Sequence, residues 1–142
     1  MRRNGFTLLE TVIAMALAAF FVHAGSISIG RLVAKLRLQR AVWEIGSSLN
    51  QARFRSVWEG APVRVRFEGA RYRLEIYEAG AEGWRLDRAG LLEGVTVEAN
   101  NSPAFYPEGT VSNLATIVVS NPTGSYKITI AISGRIKAAR VA

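Results

Sequence analysis

The sequence predicts an α+β fold in which one long N-terminal helix packs against an antiparallel β-sheet head. Two observations support this fold class. Apolar residues recur at helical spacing up to about residue 58, and after Gly60-Ala61-Pro62 the apolar period changes to two. Every predicted strand follows the helix, which argues against alternating strand-helix-strand units. A length of 142 residues fits one domain.

The predicted helix, residues 6–58, joins two segments of different character. From Thr11 to Gly30 there are 20 residues without Asp, Glu, Lys or Arg, and a helix of that length spans about 30 Å, enough to cross a bilayer core. Residues 6–30 are therefore predicted to form a membrane-spanning half. Residues 31–59 are predicted to form an amphipathic half that packs on the head, residues 60–142. Its apolar stripe has spacings of three and four: Leu38, Val42, Ile45, Leu49 and Ala52.

The head is predicted to contain two β-hairpins and two shorter strands. The first hairpin pairs residues 63–67 with 72–77 across Glu68-Gly69-Ala70-Arg71, and both strands alternate apolar and polar residues. The second pairs residues 115–119 with 126–132 around Asn121-Pro122-Thr123-Gly124. Residues 84–86 and 95–98 are predicted as short strands, and residues 100–109 as a loop.

The residues before the apolar run predict its orientation but leave its processing open. Arg2 and Arg3 keep the short end in the cytoplasm, so the head faces outward. Three interpretations fit the run: a secretory signal cleaved after Val22-His23-Ala24, a permanent single-pass anchor, or a leader cut before the run. Glu10 is the discriminating residue. A lone carboxylate in a bilayer costs several kcal/mol, so such groups tend to be paired and functional.

The stretch Gly5-Phe6-Thr7-Leu8-Leu9-Glu10 resembles the processing site of type IV pilins and type II secretion pseudopilins. The resemblance implies that a prepilin peptidase removes leader residues 1–5, cutting between Gly5 and Phe6, and that the new amine of Phe6 is methylated. It also implies that Glu10 recruits and aligns subunits. Pairing of this carboxylate with the Phe6 amine of a neighbouring subunit would stabilise the correct axial register between the two subunits. The alternative is a Glu10 that simply lies in the headgroup layer.

Four later motifs make the head similar to the GspH/FimT-type minor pilins and pseudopilins. They are Gly60-Ala61-Pro62-Val63, Leu92-Glu93-Gly94-Val95, Phe105-Tyr106-Pro107-Glu108-Gly109 and Ile132-Ser133-Gly134-Arg135-Ile136. This resemblance implies a type IV pilin-like fold and a low-abundance inner-membrane subunit near the tip of a pilus or pseudopilus. The implied partners are other pilin or pseudopilin subunits, prepilin peptidase and the inner-membrane assembly platform.

Composition argues against an enzyme, and no cofactor or metal is predicted. His23 is the only histidine and lies in the apolar run, and the chain has no cysteine. A histidine-based catalytic triad in the head and a thiolate metal site are therefore excluded. Glu75, Glu78 and Glu82 lie among Arg71, Arg73 and Arg85, which favours surface ion pairs. Residues 101–142 contain one acid, so they lack the calcium-binding loop that the resemblance implies for a major pseudopilin.

The basic C-terminal segment raises a second functional hypothesis, which is DNA binding. The chain carries a net charge of +7, and Arg135, Lys137 and Arg140 lie within six residues. In FimT-like minor pilins a Gly-Arg-x-Arg element contacts DNA. Here Lys137 takes the second basic position, where it keeps the charge but loses the guanidinium fork. Three cations allow salt-sensitive phosphate contacts. A solvated strand end or a contact with an acidic subunit are the alternatives.

Overall fold

A computed structural model describes residues 7–141, with the backbone alone for residues 24–28. Helix α1 spans Leu8–Glu59 as one continuous element, which confirms the predicted long helix. It is followed by Gly60 with φ of +63°, a left-handed conformation that glycine adopts without steric cost at helix ends. The chain divides after Val33 into two compact units.

The first unit contains the part of α1 up to Val33. All side chains described in this part are exposed, and most are apolar. Phe20 and Phe21 contact each other edge to face, with ring centroids 6.0 Å apart. Over the described residues, no helix combines the length and apolarity that a membrane crossing needs. The membrane-spanning half over residues 6–30 stays a prediction.

The second unit contains the rest of α1 and, over its described residues, nine strands in two antiparallel sheets. The first sheet has the order β3-β2-β1-β5-β6. Its strands are β1 Val63–Glu68, β2 Arg71–Glu78, β3 Gly83–Leu91, β5 Ala104–Phe105 and β6 Val111–Ser112. The second sheet has the order β4-β7-β8-β9. Its strands are β4 Thr96–Ala99, β7 Thr116–Asn121, β8 Gly124–Ile130 and β9 Ile136–Val141.

Both predicted hairpins are confirmed. In the first, Val63 pairs with Ile76, and in the second, Asn121 pairs with Gly124 across the turn. The predicted antiparallel head is confirmed and divides into two sheets, because β4 pairs with β7 and so starts the second sheet. The loop predicted over residues 100–109 is wrong in part, since it contains β5, whose Phe105 side chain is buried.

The core forms where the amphipathic part of α1 meets the two sheets. The predicted stripe is confirmed: Leu38, Ile45, Leu49 and Ala52 are buried and Val42 is partly buried. Against it pack alternate side chains of the strands, which are Val63, Val65, Leu74, Ile76, Ile117, Val119, Ile128 and Ile130. Full burial of one such side chain stabilises the fold by about 1.5–3 kcal/mol, so this contact fixes the head on the helix.

Polar contacts join one flank of α1 to the first sheet. Tyr72 Oη donates a hydrogen bond to Glu44 Oε1 at 3.1 Å. Arg55 forms an ion pair with Asp87, and Arg88 donates to Gln51 Oε1 at 3.1 Å. On the second sheet, Asn121 donates from Nδ2 to the Ala34 carbonyl oxygen at 2.7 Å, where the head part of the helix begins.

Candidate functional site

The processing site predicted at Gly5 and Phe6 lies outside the described residues. The structure begins next to it, at Thr7, so the geometry of cleavage stays a prediction. The neighbouring candidate, Glu10, lies in the first turn of α1 and is exposed.

Thr7 caps the N-terminus of α1, and Glu10 is the third residue of the helix. Thr7 Oγ1 accepts a hydrogen bond from the Glu10 backbone N–H at 3.3 Å, and the Thr7 carbonyl accepts from Thr11 N–H at 3.2 Å. Thr-x-x-Glu is the sequence signature of a capping box. A carboxylate in the first turn also interacts favourably with the helix dipole. This signature is local and is readable in the sequence.

The Glu10 carboxylate has no cationic partner within the part of the chain that the structure describes. Neither Arg31 nor Lys35, the first basic residues after it, forms an ion pair there. The exposed carboxylate is therefore accessible from outside the chain.

The structure separates the three C-terminal cations rather than clustering them. Lys137 and Arg140 both belong to β9, an edge strand of the second sheet. Lys137 pairs with Thr129, whereas Arg140 pairs with Tyr126. Because side chains alternate along a strand, residues three apart point to opposite faces. Lys137 therefore lies on the outer face of the sheet and Arg140 on the face of Tyr126 and Ile128.

Arg135 lies at the turn that precedes β9. Its carbonyl accepts a hydrogen bond from Ala131 N–H at 2.9 Å, and Gly134 N–H donates to the Ala131 carbonyl at 2.8 Å. Gly134 has φ of +74°, and Arg53 of α1 lies beside it, with Nε 3.0 Å from the position a Cβ would take. Arg53 therefore joins Arg135 at this end of the sheet. Sequence reasoning missed this neighbour because the two arginines are far apart in the chain.

Lys127 is a further cation that sequence reasoning did not place. On β8 it pairs with Ala139, two residues from Lys137 on the same face of the sheet. Arg135, Lys137, Arg140 and Lys127 are all exposed, and over the described residues none of them forms an ion pair. The outer face of the second sheet thus carries Lys127 and Lys137 together.

Of the three acids expected in surface ion pairs, Glu75 and Glu78 form ion pairs and Glu82 forms none among the described residues, and the partners differ in part. Glu75 is buried and pairs with Arg64, whose guanidinium lies 4.2 Å from the ring centroid of Trp84. Glu78 pairs with Arg85 as predicted. Arg73 instead pairs with Glu68 at 3.4 Å, because the strand register places Glu68 opposite Arg71, diagonally across from Arg73 on the same face. Among the described residues, no three His, Cys, Asp or Glu side chains lie close enough together to hold a metal ion.

The N-terminal segment matches a known family model. Residues 1–26 match the prokaryotic N-terminal methylation motif. This match contains Gly5, Phe6 and Glu10, the three residues on which the processing and assembly predictions rest. A comparison with curated proteins found no match.

The structure is similar to two solved minor subunits. EpsH, a minor pseudopilin of the type 2 secretion system of Vibrio cholerae, superposes with a TM-score of 0.60 at 16% identity, over 75% of this chain and 96% of that chain. FimU, a type IV minor pilin of Pseudomonas aeruginosa, superposes with a TM-score of 0.61 at 17% identity, over 74% of this chain and 90% of that chain. The fold is the type IV pilin-like fold.

Proposed function

We propose that the chain is a minor pilin or pseudopilin, a structural subunit at or near the tip of a type IV pilus or type II secretion pseudopilus. One conjunction supports this function: the methylation motif occupies residues 1–26 and a pilin-like fold follows it. Both solved relatives named above are minor subunits, which favours a minor role over a major one. A structural subunit needs no catalytic site, so the proposed function is non-enzymatic.

In this proposal, prepilin peptidase cleaves between Gly5 and Phe6 and the new Phe6 amine is methylated. Residues 6–30 anchor the chain in the inner membrane, with the head in the periplasm or at the cell exterior. Glu10 then pairs with the Phe6 amine of a neighbouring subunit as the inner-membrane assembly platform adds the chain to a filament. The exposed Glu10 carboxylate supports this step because its charge is not neutralised by any described residue.

Deletion of the gene tests this function. Surface pili and secreted exoproteins would be quantified in the deletion strain, in the strain complemented with the natural chain, and in one complemented with Glu10→Ala. Loss of pili is expected for a pilus subunit and loss of secretion for a pseudopilin, and Glu10→Ala should restore neither. If the deletion strain retains both pili and secretion at natural levels, the proposed function is wrong.

DNA binding during uptake is a second candidate function, and one observation favours it. Lys137 and Lys127 lie on one open face of the second sheet, with Arg135 at its end, and none has an acidic partner among the described residues. Unpaired cations on a flat face can contact phosphates without reading sequence.

A further inference from the structure

A groove runs along the flank of α1 that faces the second sheet. The helix wall is formed by Val42, Trp43 and Asn50, the floor by Gly46, and the opposite wall by Tyr126 and Ala138, around a cavity of about 520 Å³. The other flank of α1 is joined to the first sheet by polar contacts, including the bond from Tyr72 to Glu44.

Neither backbone conformation nor close packing within the described residues requires glycine at position 46. Gly46 lies in the interior of α1, where glycine is the least favourable residue after proline. Its φ is not positive, and a Cβ at this position would meet nothing within 4 Å. An alanine would therefore fit this chain better. The missing side chain leaves room on the groove floor for the side chain of another molecule.

The wall beside this floor is an exposed tryptophan. Trp43 has 75% of its surface exposed, although indole rings are strongly buried on average. Its ring borders the same cavity as Gly46 and Ala138. A large aromatic side chain beside two small residues forms a pocket of the kind that holds an apolar anchor at an interface.

Basic residues flank both ends of the groove. Arg53 lies beside Gly134 at one end. At the other end, Arg140 lies beside Gly124, with Nη2 3.5 Å from the position a Cβ would take. Lys35 precedes the groove residue Gln39 by one helical turn. The residues lining the cavity include no acid, and over the described residues none of these three cations forms an ion pair.

We propose that this groove binds an amphipathic helix of a different subunit, with an apolar side chain over Gly46 and carboxylates opposite Arg53 and Arg140. The groove follows α1 from Gln39 to Asn50, about 17 Å at helical rise, which suits about three turns of a straight helix, and Lys35 and Arg53 lie about one turn beyond its two ends. A second copy of this chain is a poor occupant. Its own helix residues 34–59 carry five cations and two acids, so the charges would repel. The inference rests on the proposed function in taking the partner to be a filament subunit.

Site-specific photo-cross-linking in cells of the source organism tests the proposal. Trp43→p-benzoylphenylalanine places the reactive group in the groove, and Thr129→p-benzoylphenylalanine on the outer face of the second sheet is the matched control. The expected result is a Trp43-specific adduct with another pilin-like subunit. Its cross-linked peptide, identified by mass spectrometry, should be apolar at the reacting residue with acids one or two turns away. No adduct, an adduct with a second copy, or a peptide without acids would overturn the proposal.

Two further variants separate the groove from the stability of the fold. Gly46→Leu in the cross-linking chain should raise or keep the Tm, because it removes a helix-interior glycine, and should lower the adduct yield about tenfold by filling the floor. The double variant Arg53→Glu with Arg140→Glu should lower the adduct yield without changing the Tm. The control double variant on the first sheet, Arg71→Glu with Arg73→Glu, should leave the adduct yield unchanged. An unchanged yield in both groove variants would overturn the proposal. The N-terminus of the same samples reports separately on the proposed function: a chain starting at Met1 contradicts processing, whatever the adduct shows.

Discussion

Thr7 Oγ1 accepts a hydrogen bond from the backbone N–H of Glu10, over 3.3 Å. This bond uses the Glu10 backbone, whereas the proposed role between subunits uses the Glu10 carboxylate. The Thr-x-x-Glu signature and the proposed pairing place different demands on the side chain at this position. A capping box works with Gln as well as Glu, whereas pairing with an amine requires the charge.

Glu10→Gln should therefore be processed and inserted normally but assemble poorly, like Glu10→Ala. The measurement is the amount of the chain in sheared filaments relative to the membrane fraction. Thr7→Ala is the matched control, since it removes the cap, at a cost of about 0.5–2 kcal/mol of helix stability, but keeps the carboxylate. If Glu10→Gln assembles normally while Thr7→Ala does not, the helix cap rather than the charge controls assembly.

Gly90→Ala should destabilise the head. Gly90 lies opposite Tyr72 in the first sheet, and a Cβ there would lie 2.5 Å from Tyr72 Oη. The buried Tyr72 ring cannot move away without losing its bond to Glu44, so the expected cost is about 1–3 kcal/mol. Chemical denaturation followed by circular dichroism measures it. Gly80→Ala is the control, because a Cβ at Gly80 meets nothing within 4 Å; equal stabilities of the two variants would show that the ring does not confine Gly90.

Arg64→Ala should cost about 2 kcal/mol, because it removes the partner of the buried Glu75 carboxylate. The side chains of Arg64 and Glu75 are 25% and 10% exposed, so solvent screens this pair only in part. Arg66→Ala breaks an exposed pair with Glu68 and should cost about 0.5 kcal/mol or less. In a double-mutant cycle, Arg64→Ala with Glu75→Ala should lose less than the sum of the single variants. Additive losses would mean that the pair is not coupled.

The strand register predicts which face of the second sheet would contact DNA. Lys127→Ala and Lys137→Ala should each weaken binding to duplex DNA and each reduce the slope of log K against log salt by about 0.9, because each removes one phosphate contact. Arg140→Ala should change neither quantity, since its side chain lies on the other face. Fluorescence anisotropy with the full-length chain in nonionic detergent measures this. An Arg140→Ala effect as large as that of Lys137→Ala would contradict the placement, and absence of binding by the natural chain would exclude the hypothesis.

The sequence predicts those parts of the fold in which burial of one face makes apolar residues recur at a regular spacing. The stripe from Leu38 to Ala52 and the alternation in β1 and β2 follow from contact with one core. β9 carries two alanines and two exposed charged residues, Lys137 and Arg140, at an edge, so its apolar signal is weak and it was not predicted. The strand conformation of β9 determines the DNA hypothesis, because it places the side chains of Lys137 and Arg140 on opposite faces of the second sheet.

Contacts between distant segments could not be predicted from spacing. Arg53 beside Gly134 and the groove around Gly46 depend on how α1 lies against β8 and β9. In the sequence, a glycine within a helix indicates only a loss of helix stability. The open space beside Gly46 can be seen only in the three-dimensional structure. The capping box at Thr7 and Glu10 is different, since its signature is local and could have been recognised beforehand.

The mass of the intact chain purified from membranes of the source organism tests the central claim most directly. The account predicts a chain that starts at Phe6 with one added methyl group, because the leader is removed and the new amine is modified. A chain that keeps Met1–Gly5, or one that starts at Gly25 after cleavage of a secretory signal, would contradict it.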